Sequence, residues 1–219
     1  MLFDIAIIGI LIFWLNKKGE ERLRIKTYKD EIDDFRLWES NEAAFRTVGN
    51  IKRLNRHKIY ELDLVNCYLA KTNLNYVTLK ESNLNNADLN SANLIQCNLE
   101  SARLNQTNFE NCNMNQANLK SAFANGTNFT DACLIKADLE NAFLIKANFK
   151  SAFLMEANLK GCYLSEASFE DANLYKADLR NTIGLTIDQL SNVKSLYLAQ
   201  FDESILNELK FHFPELIER

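Results

Sequence analysis

Glycine and proline are scarce in this 219-residue chain, which has six glycines and a single proline, Pro214. That scarcity excludes a collagen-like or linker-rich chain and leaves no glycine-rich loop to cradle a phosphate. Histidine is scarcer still. His57 and His212 stand near opposite ends of the chain, so no imidazole pair is available for a catalytic dyad or a metal cluster. Neither charge sign dominates: 25 Lys and Arg stand against 29 Asp and Glu, for a net charge of −4. A broadly basic nucleic-acid binder is thereby excluded. The five cysteines (Cys67, Cys97, Cys112, Cys133 and Cys162) have neither metal-site nor disulfide-framework spacing, and read as reduced thiols. No catalytic, cofactor-binding or metal-binding residue emerges, and the chain reads as a protein without enzymatic activity or small-molecule substrate.

What the chain has instead is a period of five. From Leu64 to Leu179, 24 consecutive units carry a central Leu (18 times), Phe (Phe109, Phe129, Phe149, Phe169), Met114 or Ala124. Two places before the centre stands Ala, Cys, Ser or Thr in 22 of the 24, Leu62 and Val77 being the larger exceptions. Five fits neither the 3.6 of a helix nor the 2.0 of a flat strand. It fits a coil whose sides are single units with the central residue always inward. A second period counts the sides. The central Phe residues are 20 apart, as are Phe123, Phe143 and Tyr163, and the series Glu100, Lys120, Glu140, Lys160, Arg180. The prediction is a square coil of four units per turn, each turn hydrogen-bonded to the next. Six turns at about 4.8 Å make a rod about 29 Å long. With Leu or Phe filling the axis, the second inward position has room only for small residues, since larger ones would overpack it at roughly 1–3 kcal/mol each. Four of the cysteines fall there as small apolar fillers, and Cys133 falls outward.

Ala87-Asp88-Leu89, Ala92-Asn93-Leu94, Ala117-Asn118-Leu119 and Ala177-Asp178-Leu179 resemble the unit of the pentapeptide-repeat family: Ala, Asp/Asn, Leu, then two free positions. The resemblance implies an all-β solenoid, a right-handed quadrilateral β-helix of about six coils of four pentapeptides, over residues 62–180. It implies little about function, because members of the family serve many roles.

The flanks read as helical. Residues 1–16 are almost wholly apolar, with Asp4 the exception before Asn16. Fifteen helical residues span about 22 Å, short of a ~30 Å bilayer core, and the acidic start and missing small-x-small site argue against a cleaved signal peptide. The segment reads as a short inner-membrane anchor, with a helix lying in the membrane surface as the alternative. Asp4 would sit at the outer interface and Trp14 at the inner one. The basic run Lys17, Lys18, Arg22, Arg24, Lys26 and Lys29 would keep the repeat domain cytoplasmic; a chain that is cytoplasmic and soluble is the other localisation. Residues 17–61 form a helical stalk and N-terminal cap. Within them, Glu20 to Trp38 carries a seam of Ile25, Tyr28, Ile32 and Phe35. A second helix capped by Ser40 or Asn41 presents Phe45, Val48, Ile51 and Leu54; the two could fuse. The segment from Glu31 to Leu54 also resembles a flanking helix of some bacterial pentapeptide-repeat proteins.

Residues 181–219 close the far end with short helices. Thr186 to Gln189 reads as a capping box stapled by Leu185 and Leu190, Asp202 as a second N-cap, and Pro214 as the stop. Relatives that dimerise through such segments supply the alternative role. One irregularity stands out. Ala124 removes a core Leu, which predicts Phe123 turned partly inward or a bulge at Gly126.

Two faces of the rod are polar, one with Glu100, Lys120, Glu140 and Lys160, the other with Asn108, Asn128, Asn148, Glu110 and Lys150. The other two are apolar and form the candidate interaction strips. One carries Phe123, Phe143 and Tyr163 beside Ile145; the opposite one carries Cys133, Ile135, Phe153, Met155 and Tyr175. A contiguous apolar strip more often marks an interface than single exposed residues do. The sequence therefore predicts a membrane-tethered, non-catalytic interaction scaffold that binds a protein partner or itself. The family resemblance also implies an alternative, a DNA-mimicking gyrase modulator. Mimicry needs a strongly negative rod, and residues 62–180 carry ten basic against 13 acidic residues, so no nucleic-acid-like field is expected.

Overall fold

The structure, a computed structural model, describes the backbone of residues 2–218 and the side chains of residues 7–218. Two helices lead, α1 (Leu2–Phe35) and α2 (Asn41–Arg56). A solenoid follows, and α3 (Ile187–Leu190), α4 (Glu203–His212) and α5 (Pro214–Glu218) close it.

The five-residue unit folds in one way throughout. Its central residue points inward, with Leu64, Phe109, Phe149 and Leu174 all 0% exposed. The residue before the centre forms a parallel bridge to the residue 20 further on, as in Asp63↔Asn83 and Tyr163↔Ile183. Four five-residue units therefore complete each turn. A four-residue turn closes each corner, as where Cys67 N–H donates to Leu64 O at 3.1 Å. Its third residue is left-handed: Asn66, Gln96, Ser121, Lys136 and Glu156 all have φ between 53° and 58°. An L-residue in that conformation costs roughly 1–2 kcal/mol. Each is held there by a bond to the neighbouring coil, such as Glu156 N–H to Tyr175 O at 2.8 Å.

The preference for Asn or Asp before the centre has a matching cause. Asn98 Oδ1 accepts from Glu100 N–H at 3.0 Å, an Asx turn that holds the corner, and also accepts from the Asn118 amide at 3.1 Å. The Asn108–Asn128 pair repeats that ladder at 3.1 Å on another face. The small inward residues do more than fill space. Thr107 and Thr127 hydroxyls donate to Leu84 O and Leu104 O at 2.7 and 2.6 Å, and the Cys112 and Cys162 thiols donate to Leu89 O and Leu139 O at 2.8 and 2.9 Å.

The coil at Ala124 is regular, which corrects the expected distortion. Phe123 is 41% exposed, and Gly126, with φ of +64°, occupies the same left-handed corner as its neighbours. Ladder bonds flank the site at 2.7 and 2.8 Å (Ala124 N–H to Phe143 O, Gly126 N–H to Ile145 O). Coil-to-coil hydrogen bonding, repeated on both sides, fixes the backbone more firmly than one missing Leu disturbs it. The trace that remains is the corner bond from Thr127 N–H to Ala124 O, stretched to 3.4 Å.

At the first coil, α2 lies over the open end. Asn55 replaces a missing strand: its amide donates to Thr78 O at 2.9 Å and its oxygen accepts from Thr78 N–H at 2.7 Å. Arg36 adds bonds to Val65 O at 2.8 Å and to Asp63. The Asn55→Leu variant leaves both Thr78 groups without partners, at an expected cost of about 2 kcal/mol, read as a lower urea midpoint at unchanged slope.

Ser40 is the N-cap of α2, accepting from Ala43 N–H at 3.2 Å, so α1 and α2 do not fuse. The buried face of α2 is Ala44, Val48, Ile51 and Leu54, whereas Phe45 is 62% exposed. Steps of three drift by about 60° each around a helix, so Phe45 cannot share a face with Leu54. The seam of α1 is used within the chain: Ile32 is buried, and Ile25 and Tyr28 pack against the core. Instead of ending near residue 16, α1 runs unbroken through Gly19 into this packed part. Among the described residues no helix is long and apolar enough to cross a membrane. The expected spanning anchor is corrected accordingly: the apolar run meets Asn16, Lys17 and Lys18 after about 22 Å of helix. The expected placement of Asp4 lies outside the described side chains.

At the far end the bridges continue past Arg180 to Ile183 and, after two extra residues, to Asn173↔Ser195 and Asp178↔Gln200. Gln189 accepts from Thr186 N–H at 2.8 Å, the reach-back bond of the expected capping box, and its amide donates to Leu164 O and Ala167 O. Asp202 precedes α4 as expected, but its carboxylate accepts from Asn181 N–H at 2.8 Å. Pro214 opens α5, and Leu196 N–H bonds Leu216 O at 2.8 Å, seating α5 on the last turn.

Candidate interaction surfaces

Parallel coils place identical positions directly above one another, so a side chain 20 residues away is a neighbour. Phe123, Phe143 and Tyr163 form one stack, with ring centroids 5.0 and 4.5 Å apart and planes within 6°. Ile183, 49% exposed, continues the column through its bridge to Tyr163. Beside the stack runs an open groove of about 470 Å³, whose other wall is Ser101, Ser121, Asn141, Gly161 and Asn181. Small corner residues make the groove possible. At Gly161 (φ +69°) a Cβ would stand 2.3 Å from Asn141 Oδ1.

The second strip is more broken. Phe153 is 42% exposed, while Ile135, Met155 and Tyr175 are half-buried along its side. Tyr175 stacks on Tyr197 at 5.9 Å and carries Lys176 over its ring at 5.1 Å. Cys133 is half-buried, with its thiol 3.1 Å from Asn115 Oδ1. Two surface residues were missed by sequence reasoning. Ile183 lies 20 beyond Tyr163, and counting on one more turn finds it. Tyr197 lies 22 beyond Tyr175, where two extra residues hide the period.

The polar faces carry ion pairs at one-coil spacing. Lys80 meets Glu100 at 2.9 Å, Lys120 meets Glu140 at 3.1 Å, and Lys150 meets Glu170 at 2.9 Å. The partner carboxylates raise the pKa of all three lysines, through hydrogen bonds first. Exposed pairs of this kind contribute little to stability, but alternation avoids stacked like charges. His57 pairs with Glu21 at 2.8 Å at one end, and His212 sits against Phe211 and Phe213 at the other.

The pentapeptide-repeat family model matches in eight copies, over residues 63–100, 92–131, 125–161 and 152–183. The chain belongs to the pentapeptide-repeat family. Repeats of this kind place the chain in the solenoid class. Solved structures of other pentapeptide-repeat proteins are similar. HetL, involved in heterocyst differentiation regulation in the cyanobacterium Nostoc sp. strain PCC 7120, is 27% identical over 64% of this chain and 70% of its own, with a TM-score of 0.39. Rfr23 from the cyanobacterium Cyanothece 51142 is 29% identical over 56% of this chain and 66% of its own, with a TM-score of 0.19. QnrB1, a plasmid-mediated fluoroquinolone resistance protein, is 18% identical over 60% of this chain and 83% of its own, with a TM-score of 0.27. No curated protein matches.

Proposed function

We propose that this pentapeptide-repeat protein is a membrane-tethered scaffold: a right-handed rod of about six coils that binds a protein partner through the Phe123–Phe143–Tyr163 column. The observation that carries the reading is the aromatic stack beside an open groove. Its rings are fixed by the coil spacing, so little side-chain entropy is lost on contact. The second strip (Ile135, Phe153, Met155 and Tyr175) is the secondary contact face. The apolar half of α1 supplies the tether, with the rod on the cytoplasmic face of the inner membrane. Interleaved Lys–Glu pairs along the rod argue against DNA mimicry, which needs an unbroken negative surface.

The test is crosslinking and affinity capture from membranes, comparing the intact chain with Phe123→Asp/Phe143→Asp. The expected result is a specific partner, or self-contact, that the folded variant loses at least tenfold. Equal capture by both forms, or capture of nothing by either, removes the column as a binding site.

A further inference from the structure

Helix α2 runs back along α1, and four contacts fix the register of this hairpin. Arg46 lies 5.5 Å from the Phe35 ring, and Asn50 Nδ2 donates to Glu31 at 2.8 Å. Arg53 lies 5.6 Å from the Tyr28 ring, and His57 Nδ1 meets Glu21 Oε1 at 2.8 Å. The start of α2 therefore sits beside the end of α1, and the end of α2 sits beside the middle of α1.

This fold-back separates charge in a way that neither helix does alone. Exposed Arg56 and Lys58 are brought level with the Glu21–Lys29 part of α1, next to the basic run that begins at Lys17. Lys58 and Lys29 line one cleft together with Lys80, Glu61 and Glu81. At the opposite end, around the α1–α2 turn, stand Asp33, Asp34, Glu39 and Glu42, an acidic excess over Arg36 and Arg46, which pair with Asp33 and Glu42. The basic end is the one adjoining the apolar half of α1.

The described side chains of that apolar half are bare on every side. Ile7, Ile8, Ile10, Leu11, Ile12, Phe13, Trp14 and Leu15 are between 51% and 70% exposed, and successive residues point 100° apart. A protein partner covers one side of a helix, whereas lipid surrounds all of it. Lys18 lies 4.7 Å from the Trp14 ring, an aromatic–basic pair suited to the headgroup level. From Trp14 to Glu21 the helix rises about 10 Å, so the end of α2 lies within about one Debye length of that level.

The geometry points to the α1–α2 hairpin as a two-part device for anionic bilayers: the apolar half of α1 enters the lipid, and Arg56 and Lys58 at the end of α2 join the basic run of α1 on anionic headgroups. This rests on the membrane tether proposed above and names the lipid class that the tether selects.

Vesicle flotation of the full chain tests it, using phosphatidylcholine alone and phosphatidylcholine with about one-third phosphatidylglycerol. The variants are Arg56→Gln/Lys58→Gln and, as an equal charge change on the rod, Lys136→Gln/Lys146→Gln. Circular dichroism verifies that both are folded. The expected result is stronger partitioning of the wild type onto anionic vesicles, reduced roughly tenfold by the hairpin variant and not by the rod variant. Neutral vesicles should not distinguish the three proteins. Unchanged binding by the hairpin variant overturns the inference while leaving the tether standing, and so does an equal loss in the rod variant. Binding to duplex DNA that depends on Arg56 and Lys58 overturns it in favour of nucleic acid. Failure of the wild type to float with either vesicle removes the tether itself.

Discussion

Phe149→Ala should lower the free energy of unfolding by about 3–5 kcal/mol, the usual cost of emptying a fully packed aromatic site. Phe149 is 0% exposed and lies between Phe129 and Phe169, with centroids 4.9 and 5.2 Å away and planes within 4°. Truncation removes two aromatic contacts as well as buried area. The coils above and below are tied to each other by ladder hydrogen bonds and cannot close over the gap. Phe143→Ala, one unit earlier, removes a half-exposed ring from an outer stack and should cost about 1 kcal/mol. Urea denaturation of both variants gives the comparison. A solenoid adds a second readout, because each coil contacts only its neighbours. A mid-rod lesion that uncouples the two halves will flatten the transition and lower its slope in Phe149→Ala. Equal stability losses in the two variants would mean that the central stack does not hold the rod together.

Ala124 sets a limit on that argument from within the molecule. It stands where Leu104 and Leu144 stand in the adjacent coils, and the backbone ladder passes it undisturbed. Phe123 stays on the outer face because the hydrogen bonds to both neighbouring coils, and not one side chain, decide the backbone path. The period itself was legible because inward positions tolerate few residue types: Leu, Phe and Met at the centre, small residues two places before. The left-handed corners were not legible. Glycine takes a few of them, as at Gly126 and Gly161, but most are Ser, Asn, Asp, Lys, Glu or Gln, and the bond to the next coil holding them there has no sequence signature. The same applies at the interaction surfaces. Phe123, Phe143 and Tyr163 announced their column by a spacing of 20. The groove beside them depends on which small residues fill the corners opposite. The meeting of His57 with Glu21 depends on a fold-back set by the turn at Ser40, and no local pattern encodes it.

Alkali should destabilise this protein through its buried thiols, and by more than any single side-chain truncation outside the core. Burial pushes Cys67, Cys97, Cys112 and Cys162 from the ordinary thiol value of 9.0 up to about 12. In the unfolded chain the same thiols ionise near 9. Between about pH 9 and pH 12 the unfolded state therefore binds fewer protons than the folded state, and stability falls as pH rises. Below pH 9 both states hold the proton and the four thiols contribute no pH dependence. At pH 10 each thiol has lost about 1.4 kcal/mol of its contribution, on the order of 5–6 kcal/mol for the four together. The Cys112 and Cys162 S–H groups also donate to Leu89 O and Leu139 O, bonds that a thiolate cannot make. Denaturation at pH 7.5 and pH 10 under reducing conditions, for the wild type and for the variant with all four thiols replaced by Ala, isolates the effect. Alanine already fills the same inward position in Ala117, Ala142 and Ala177, so the variant keeps the coil. The wild type should lose several kcal/mol more than the variant between the two pH values. Parallel losses would mean that the four thiols ionise as readily in the folded as in the unfolded chain, and that they do not carry the alkaline sensitivity.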